Sequence, residues 1–512
     1  SSLMPDTSII SPYVVKLSGG LILNRDSFSM PPGAATELIN FEPDVSGGYR
    51  RINGYAKYNS NIVPQTSAST EKILGVAIYK DKIVAARGTK VFFGGATGSW
   101  TEIDSGRTSA GRYDFTIYNF NNTEKIIYAD GVNRASIFDG SSVTDVNATG
   151  APSDPESVAV FKNHMFFAGM ATNPQEIVFS APFTETSFSA ANGAGSIKVD
   201  SAVVKLVSFR DSLFIFCEDQ IHQLQGSSIA DFVLKPVTRR IGCVDRFSVQ
   251  ELGGDIVYLA PDGLRTLAGT AKIGDVELGT VSKQIQDRLL LRNISLDRIS
   301  SVVIRNKSQY RIFFAQDTAV EASAPGVAGV LKQTDQGGIG WEYSDIKGIK
   351  PACCDSGFVS NVETIVHGGH DGYVYQQETG NTFDSTNIVA RFSSPDHNMG
   401  DAGIRKNMQR IIWNYENEGT VNSKFRIRYD FFSTDSPQPS QYSLLTGGSA
   451  AIYGNAISTY GTAVYGSSGS PLVRQSVEGG GFTVAVRVDD NGGLAPFSLK
   501  GYQLEFTPGG RR

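Results

Sequence analysis

Cysteine and histidine are scarce in this chain. Four cysteines, Cys217, Cys243, Cys353 and Cys354, are spread over 512 residues. That is too few for a disulfide framework, and their spacing forms no Cys-x-x-Cys zinc clip. The adjacent pair Cys353–Cys354 could close only a strained vicinal bridge, so buried strand thiols are expected instead. Five histidines leave few ligands for metal chemistry. No apolar run reaches the roughly 18 residues that a membrane-spanning helix needs, so no stable membrane insertion is expected. No signal-peptide pattern opens the chain, and folding in a reducing, aqueous compartment is expected. A strong net charge is missing too. With 46 basic and 51 acidic residues the net charge is −5, without the basic excess of a nucleic-acid reader. The acidic excess lies between residues 68 and 400. The phosphate-cradling Gly-x4-Gly-Lys-Ser/Thr motif and His-Glu-x-x-His are absent, and "YGSSGS" (465–470) misses the Gly-x-Ser-x-Gly spacing.

Glycine and aromatic residues are plentiful: 55 Gly, 29 Phe and 20 Tyr. This favours short strands joined by tight turns. A repeat of apolar strand, tight turn and second apolar strand begins at Ile73 with "ILGVAIYKDKIVAARGTKVFFGG". Further copies begin near residues 114, 157, 205, 248, 301 and 351. Such spacing matches propeller blades of roughly 40–50 residues, each too thin to bury both faces alone. The fold expected is all-β: a six- or seven-bladed β-propeller over 68–380, with a β-solenoid as the structural alternative. A helix is expected over 280–295, with Val281, Ile285 and Leu289 on one face and Ser282 or Thr280 as cap.

The flanks differ from the repeat. Residues 1–67 read as an extended N-terminal arm. Its segment "MPPGAATELINFEPDVSGGYRRINGYAKY" (30–58) has tandem prolines and a Gly47-Gly48 bend. Tyr49, Ile52 and Tyr55 are its expected anchors, burying themselves on the chain's own body or on a neighbouring subunit. Residues 381–512 read as a C-terminal β-sandwich or jelly-roll-like domain. Alternating strands are expected at 410–417, 424–435, 482–490 and 499–508. Within it, 446–471 is Tyr/Gly-rich, and Tyr453, Tyr460 and Tyr465 are candidate subunit contacts.

Catalytic signals are thin. His367, His370 and Asp371 could make a metal triad, but Asp371-Gly372 between two strands reads more simply as a hairpin turn. "TDQGGIGW" (334–341) approaches, and misses, the Ser-x-Asp-x-Gly-x-Thr-Trp turn of propeller sialidases. A glycan hydrolase also needs two facing carboxylates, which a sequence cannot reveal. Arg50-Arg51 and Arg239-Arg240 are the interior arginine pairs. They are candidate interface charges, with the segment "RRIGCVDRFSV" (239–249) poised to meet acidic groups of a neighbour. No catalytic, cofactor-binding or metal-binding residue is assigned.

Taken in order, "GGL…PPGAA", "ELINFEPD", "GGYRRINGY", "FRDSLFIFCEDQIHQLQG", "RRIGCVDRFSV", "DIVYLAPDGLRTL", "SKQIQDRL" and the closing "GYQLEFTPGGRR" resemble the tail-nozzle proteins of short-tailed bacteriophages. That family includes the tail tubular protein B type and the packaged-DNA stabilisation proteins. The resemblance covers most of the chain. It implies a non-enzymatic virion protein, made in the host cytoplasm. Six copies would form a nozzle ring at the distal end of the tail, below an adaptor ring on the portal, with fibres or spikes outside. Packaged double-stranded DNA would be held and later passed without sequence readout. A propeller glycan hydrolase and a receptor- or fibre-binding tail module are the alternatives.

Overall fold

A computed structural model describes residues 10–67, 71–268, 280–290, 299–314, 326–334, 336–446 and 472–511. The protein is nearly all-β, with a five-bladed propeller-like ring and a larger sheet nearly closed into a barrel. It divides into two compact units, one of Lys57–Ala324 with Lys350–Gln377, the other of Ser1–Ala56, Pro325–Ile349 and Glu378–Arg512.

The first unit carries the ring. Four antiparallel four-stranded blades run in chain order from Ile73–Tyr79 to Thr101–Asp104, Asp114–Phe120 to Val143–Asp145, Ser157–Phe161 to Gly195–Lys198, and Val203–Phe209 to Val233–Thr238. A three-stranded fifth blade spans Gln250–Leu252, Asp255–Ala260 and Gly263–Thr266. The six or seven blades expected from the repeat are therefore corrected to five. The sixth and seventh repeats give a hairpin, Ser300–Ile304 with Gln309–Phe313, and a triplet, Pro351–Val359, Val362–Gly369 and Val374–Gln377. Both belong to the larger sheet. The physical cause lies in the sixth repeat. Its continuation folds as two eight-residue strands, Gly326–Gln333 and Ile339–Ile346, in the second unit, so no four-stranded blade can close around it.

The blades cohere because the pleat sends consecutive side chains to opposite faces. Ile126 packs toward the first blade and Ile127 toward the third. Phe166 and Phe167 likewise enter different interblade cores, as do Ile215 and Phe216. A strand buried on both faces must be apolar throughout, which is why "HMFFA" and "SLFIFC" do not alternate.

The hairpin joining the first two strands of a blade is also repeated. Lys80-Asp81, Asn121-Asn122, Lys162-Asn163 and Gly253-Gly254 all have positive φ at both residues, as does Ser360-Asn361 in the closing triplet. Positive φ at both positions suits the twist of a two-residue hairpin. These turns tie neighbours together. Lys80 donates to the Asp139 carbonyl (3.0 Å), Lys162 pairs with Asp211 (2.5 Å), Arg210 donates to the Gly254 carbonyl (2.8 Å), and the Ser360 N–H reaches Asp81 (2.9 Å). The helix expected at 280–295 begins as a 3-10 turn, Lys283–Ile285, and continues as Gln286–Leu290. Ile285 and Leu289 are buried. Ser282 does not cap it; its hydroxyl accepts the Leu264 N–H instead (2.9 Å).

The second unit absorbs what the sequence presents as a separate arm. Ser11–Lys16 pairs antiparallel with the long strand Phe497–Arg511, and Tyr49–Arg51 pairs with that same strand. Phe497–Arg511 also pairs with Ile404–Asn417. A second layer runs through Thr386–Ser393, Val484–Gly492, Val421–Tyr429 and Tyr442–Thr446, with Glu37–Ile39 on the other edge of Thr386–Ser393. Trp413, fully buried, joins the layers against Phe425 (5.6 Å) and Tyr502 (5.1 Å). Phe425, Ile427 and Tyr429 are buried on one face, and so are Val484, Val486 and Val488. The strand expected to run to 435 stops at Tyr429. Asp430, Phe431 and Phe432 then turn through three consecutive positive φ angles. The divisions at 67 and 380 are corrected accordingly: residues 1–56 and 325–349 share a unit with the C-terminal strands.

Candidate functional site

The first strands of successive blades line a small cavity of about 220 Å³. Four charged residues line it, Asp114, Lys205, Arg246 and Asp355, and further charged groups pair with them or lie close by. Asp114 pairs with Lys205 (2.6 Å) and accepts the Val158 N–H (3.2 Å). Arg246 pairs with Glu156 and donates to the Arg112 carbonyl (2.8 Å). Arg112 in turn pairs with Asp245 (3.3 Å). The Phe247 ring takes both guanidinium groups, Arg112 at 4.0 Å and Arg246 at 4.5 Å from its centroid. Asp245 also accepts the Phe247 N–H (2.8 Å), holding the 3-10 turn Arg246–Ser248 in place. Burial raises the carboxyls of Asp245 and Glu156, opposed in each case by the adjacent arginine. The chain of pairs is self-neutralising, as a closely packed ring interior requires.

Asp355, in the strand Pro351–Val359, is the exception. Its carboxylate accepts the Ile78 N–H (2.8 Å), and no ion pair to it forms among the described residues. Burial pushes its pKa up to about 6. The neighbouring Cys353 thiol is pushed up to about 12 by burial, and Cys354 is raised as well, so neither is a ready nucleophile. All four cysteines are free thiols.

The residues singled out from the sequence fall in different surroundings. Tyr49 is fully buried. Its hydroxyl donates to the Gly33 carbonyl (2.7 Å) and accepts the Gly20 N–H (3.0 Å), pinning two bends of the arm. Arg50 grips Glu418 with two hydrogen bonds (2.7 and 2.9 Å) and Glu42 with a third (3.0 Å). Arg51, also fully buried, donates to the Leu494 carbonyl (2.6 Å) and lies 3.5 Å from Asp490. Ile52 is fully buried, and Tyr55 stacks on Phe383 (5.2 Å). Tyr49, Arg51 and Ile52 thus offer no surface to another subunit; as contact residues they are corrected to core. Arg239 and Arg240 are exposed, Arg239 lying 3.8 Å from Asp200. In the same segment Arg246 also meets an acidic partner, Glu156, so Arg239 and Arg246 both pair with carboxylates of the same chain. Tyr453, Tyr460 and Tyr465 lie outside the described residues.

His367 sits in a strand with its Nδ1 3.0 Å from Gln377, and Asp371-Gly372 forms the turn beyond it. No cluster of three metal-ligating side chains occurs among the described residues. Asp114, Glu156, Lys205, Arg246 and Asp355 escaped the sequence reading. Arg246 lies in the segment 239–249 that the sequence marked as poised to meet acidic groups, while Asp355 sits unmarked inside the strand "PACCDSGFV".

The fold places this chain among all-β proteins that carry a propeller-like ring. No family model matches it, and no curated protein does. Among solved structures, it is similar to Raptor of Chaetomium thermophilum, at 10% identity and a TM-score of 0.40, over 64% of this chain and 29% of Raptor. It is also similar to the computationally designed protein Ika8, at 10% identity and a TM-score of 0.34, over 62% of this chain and 99% of that one. The chain spans less than a third of the Raptor chain. Likeness at this level carries no functional argument.

Proposed function

We propose that the protein is a structural component of a short phage tail: a nozzle ring of several copies, six by the family's pattern, that retains packaged DNA and forms the conduit for its release. The observation that carries this reading is the ordered series of sequence segments from "GGL…PPGAA" to "GYQLEFTPGGRR". The propeller-like ring and the paired charges at its axis, Asp355 excepted, are compatible with a passive part. On this reading the conduit would lie between copies, since an axial cavity of about 220 Å³ is far too small for a duplex. An acidic chain with no basic track suits a channel that lets phosphates slide. Its partners on this reading are sister copies, an adaptor ring below the portal, and fibres or spikes. Its place is the virion tail, after synthesis in the host cytoplasm. The C-terminal strands would act as a sandwich-like distal or peripheral domain.

One observation favours a second reading, a glycan hydrolase. Asp114 and Asp355 line the same cavity, and Asp355 has the raised pKa of a general acid. Against it, Asp114 is held by Lys205, and the cavity falls below the roughly 300–1,000 Å³ of ordinary ligand sites. Native mass spectrometry with negative-stain electron microscopy tests the proposal. Six-fold rings with a central hole support it. A monomer that cleaves polysaccharide favours the hydrolase, and a monomer or trimer that adheres to cells favours a receptor-binding module; either would overturn the nozzle.

A further inference from the structure

In the second unit, the strands Glu37–Ile39, Thr386–Ser393, Val484–Gly492 and Val421–Tyr429 share an outer face opposite the core. The pleat that buries Phe425, Ile427 and Tyr429 turns Lys424, Arg426 and Arg428 outward. The pleat that buries Val486 and Val488 does the same for Arg487, and Arg391 joins from the neighbouring strand. Among the described residues of these strands, only Glu37 and Asp489 bring a carboxylate to this face. Both are taken. Asp489 accepts hydrogen bonds from Arg391 Nε (2.8 Å) and Arg487 Nε (2.9 Å), and Glu37 accepts the Ser393 hydroxyl (2.8 Å). Lys424 donates to the Ser443 hydroxyl (3.1 Å).

Arg426 and Arg428 are left over. Neither forms a hydrogen bond or an ion pair among the described residues. Both are half-buried, and the Nε–H of each is buried without an acceptor. A buried donor left unmade is costly. Arg428 lies over the Phe432 ring (4.7 Å), and Asp396, which feels its charge, is committed to the Ser27 hydroxyl (2.6 Å). Arg426 also stands directly across from Arg487 in the strand register, and like charges so opposed destabilise a sheet. Orphaned donors and opposed cations on one half-buried face have a common remedy, an anion held between them. A guanidinium fork matches the oxygens of a phosphoryl group. We propose that this face binds a compact, multiply charged oxyanion, the phosphate or diphosphate group of a small molecule, on Arg426 and Arg428, with Arg487 and Lys424 beside them. A long polyanion fits less well, because acidic groups outnumber basic ones beyond this patch and the chain carries a net charge of −5. The proposal does not rest on the tail-nozzle reading.

The test titrates the full chain with inorganic pyrophosphate by calorimetry near pH 7.5, at constant ionic strength so that screening is held fixed. Wild type is expected to bind it, and Arg426→Gln and Arg428→Gln should each weaken binding by at least about tenfold. Arg474→Gln, an exposed arginine on another strand, should leave binding unchanged. Thermal denaturation gives a readout that a merely structural arginine would not. Without pyrophosphate, Arg426→Gln is expected to melt at least as high as wild type, because it relieves the opposition to Arg487; with saturating pyrophosphate, the wild-type melting temperature rises and that of the variant does not. Absence of binding by wild type, or unchanged binding by both variants, would overturn the site. A short DNA duplex that binds more tightly than pyrophosphate and displaces it would overturn the choice of a compact ligand. A wild-type monomer that binds pyrophosphate would remove the nozzle and leave this site standing.

Discussion

Asp355 and two histidines carry opposite pH signatures. The folded value of Asp355, about 6, lies above the 3.8 of a free aspartate, because burial disfavours its charge. The folded ring holds that proton more tightly than the unfolded chain does. Stability from this group is therefore full at acid pH and lost as pH rises through 6. Asp355→Asn is expected to be more stable than wild type at pH 7.5, by up to about 3 kcal/mol, with the advantage gone by pH 4. Urea denaturation across that range measures it. His367 and His397 are pushed by burial down to about 3 and about 4. For them the unfolded chain is the better proton acceptor below its ordinary value of 6.5, so wild-type stability contributed by these residues falls as pH drops from 6.5. A third residue tests the facing of the C-terminal strands. Val486 is 1% exposed, and Val486→Asp would bury an unpaired charge. The expected loss is several kcal/mol, on the order of 3 or more, read as loss of near-ultraviolet circular dichroism.

At the scale of elements, the two-residue hairpins are the most uniform feature. Asn121 and Asn122 have φ of 57° and 61°, values that glycine adopts without steric cost. Asn122→Gly is expected to stabilise the second blade by roughly 0.5–1 kcal/mol, measured by thermal denaturation. The hairpin was legible in the sequence as a turn between apolar runs, but its tie to the next blade was not. Lys162 and Asp211 are 49 residues apart, and only the ring brings them together. The left-handed turn at Asp430–Phe432 was equally invisible, since "DFFSTD" reads as a continuing strand. Asp430 stops it by accepting the Phe482 (2.7 Å) and Thr483 (3.2 Å) N–H groups, far along the chain.

At the scale of the whole molecule, the arm changes meaning. Tyr49, Ile52 and Tyr55 were recognisable as residues that need burial; Tyr49 and Ile52 are fully buried and Tyr55 half-buried, all in the chain's own second unit. Gly48 shows how close the fit is: a Cβ there would meet the Leu499 carbonyl oxygen at 2.2 Å. Deleting residues 1–56 would strip two strands from Phe497–Arg511 and uncover part of that core. The second unit is expected to lose its cooperative unfolding while the ring keeps its own. Hydrogen exchange resolved by segment checks this; protection retained over 404–417 and 497–511 would contradict it.

The sequence by itself determined the all-β class, the recurrence of strand and turn, the apolar character of blade strands, and the facing of Val484–Val488 and Phe425–Tyr429. These follow from local rules, because a pleat alternates every residue and a tight turn needs particular φ angles. Only the tertiary structure decided that five blades stand alone, that residues 325–349 leave the ring's unit, and that Asp355 lacks a countercharge where Asp114 and Glu156 have one. Strand pairing and ion pairing join residues tens to hundreds of positions apart, and a one-dimensional pattern holds no record of which distant partner each group meets.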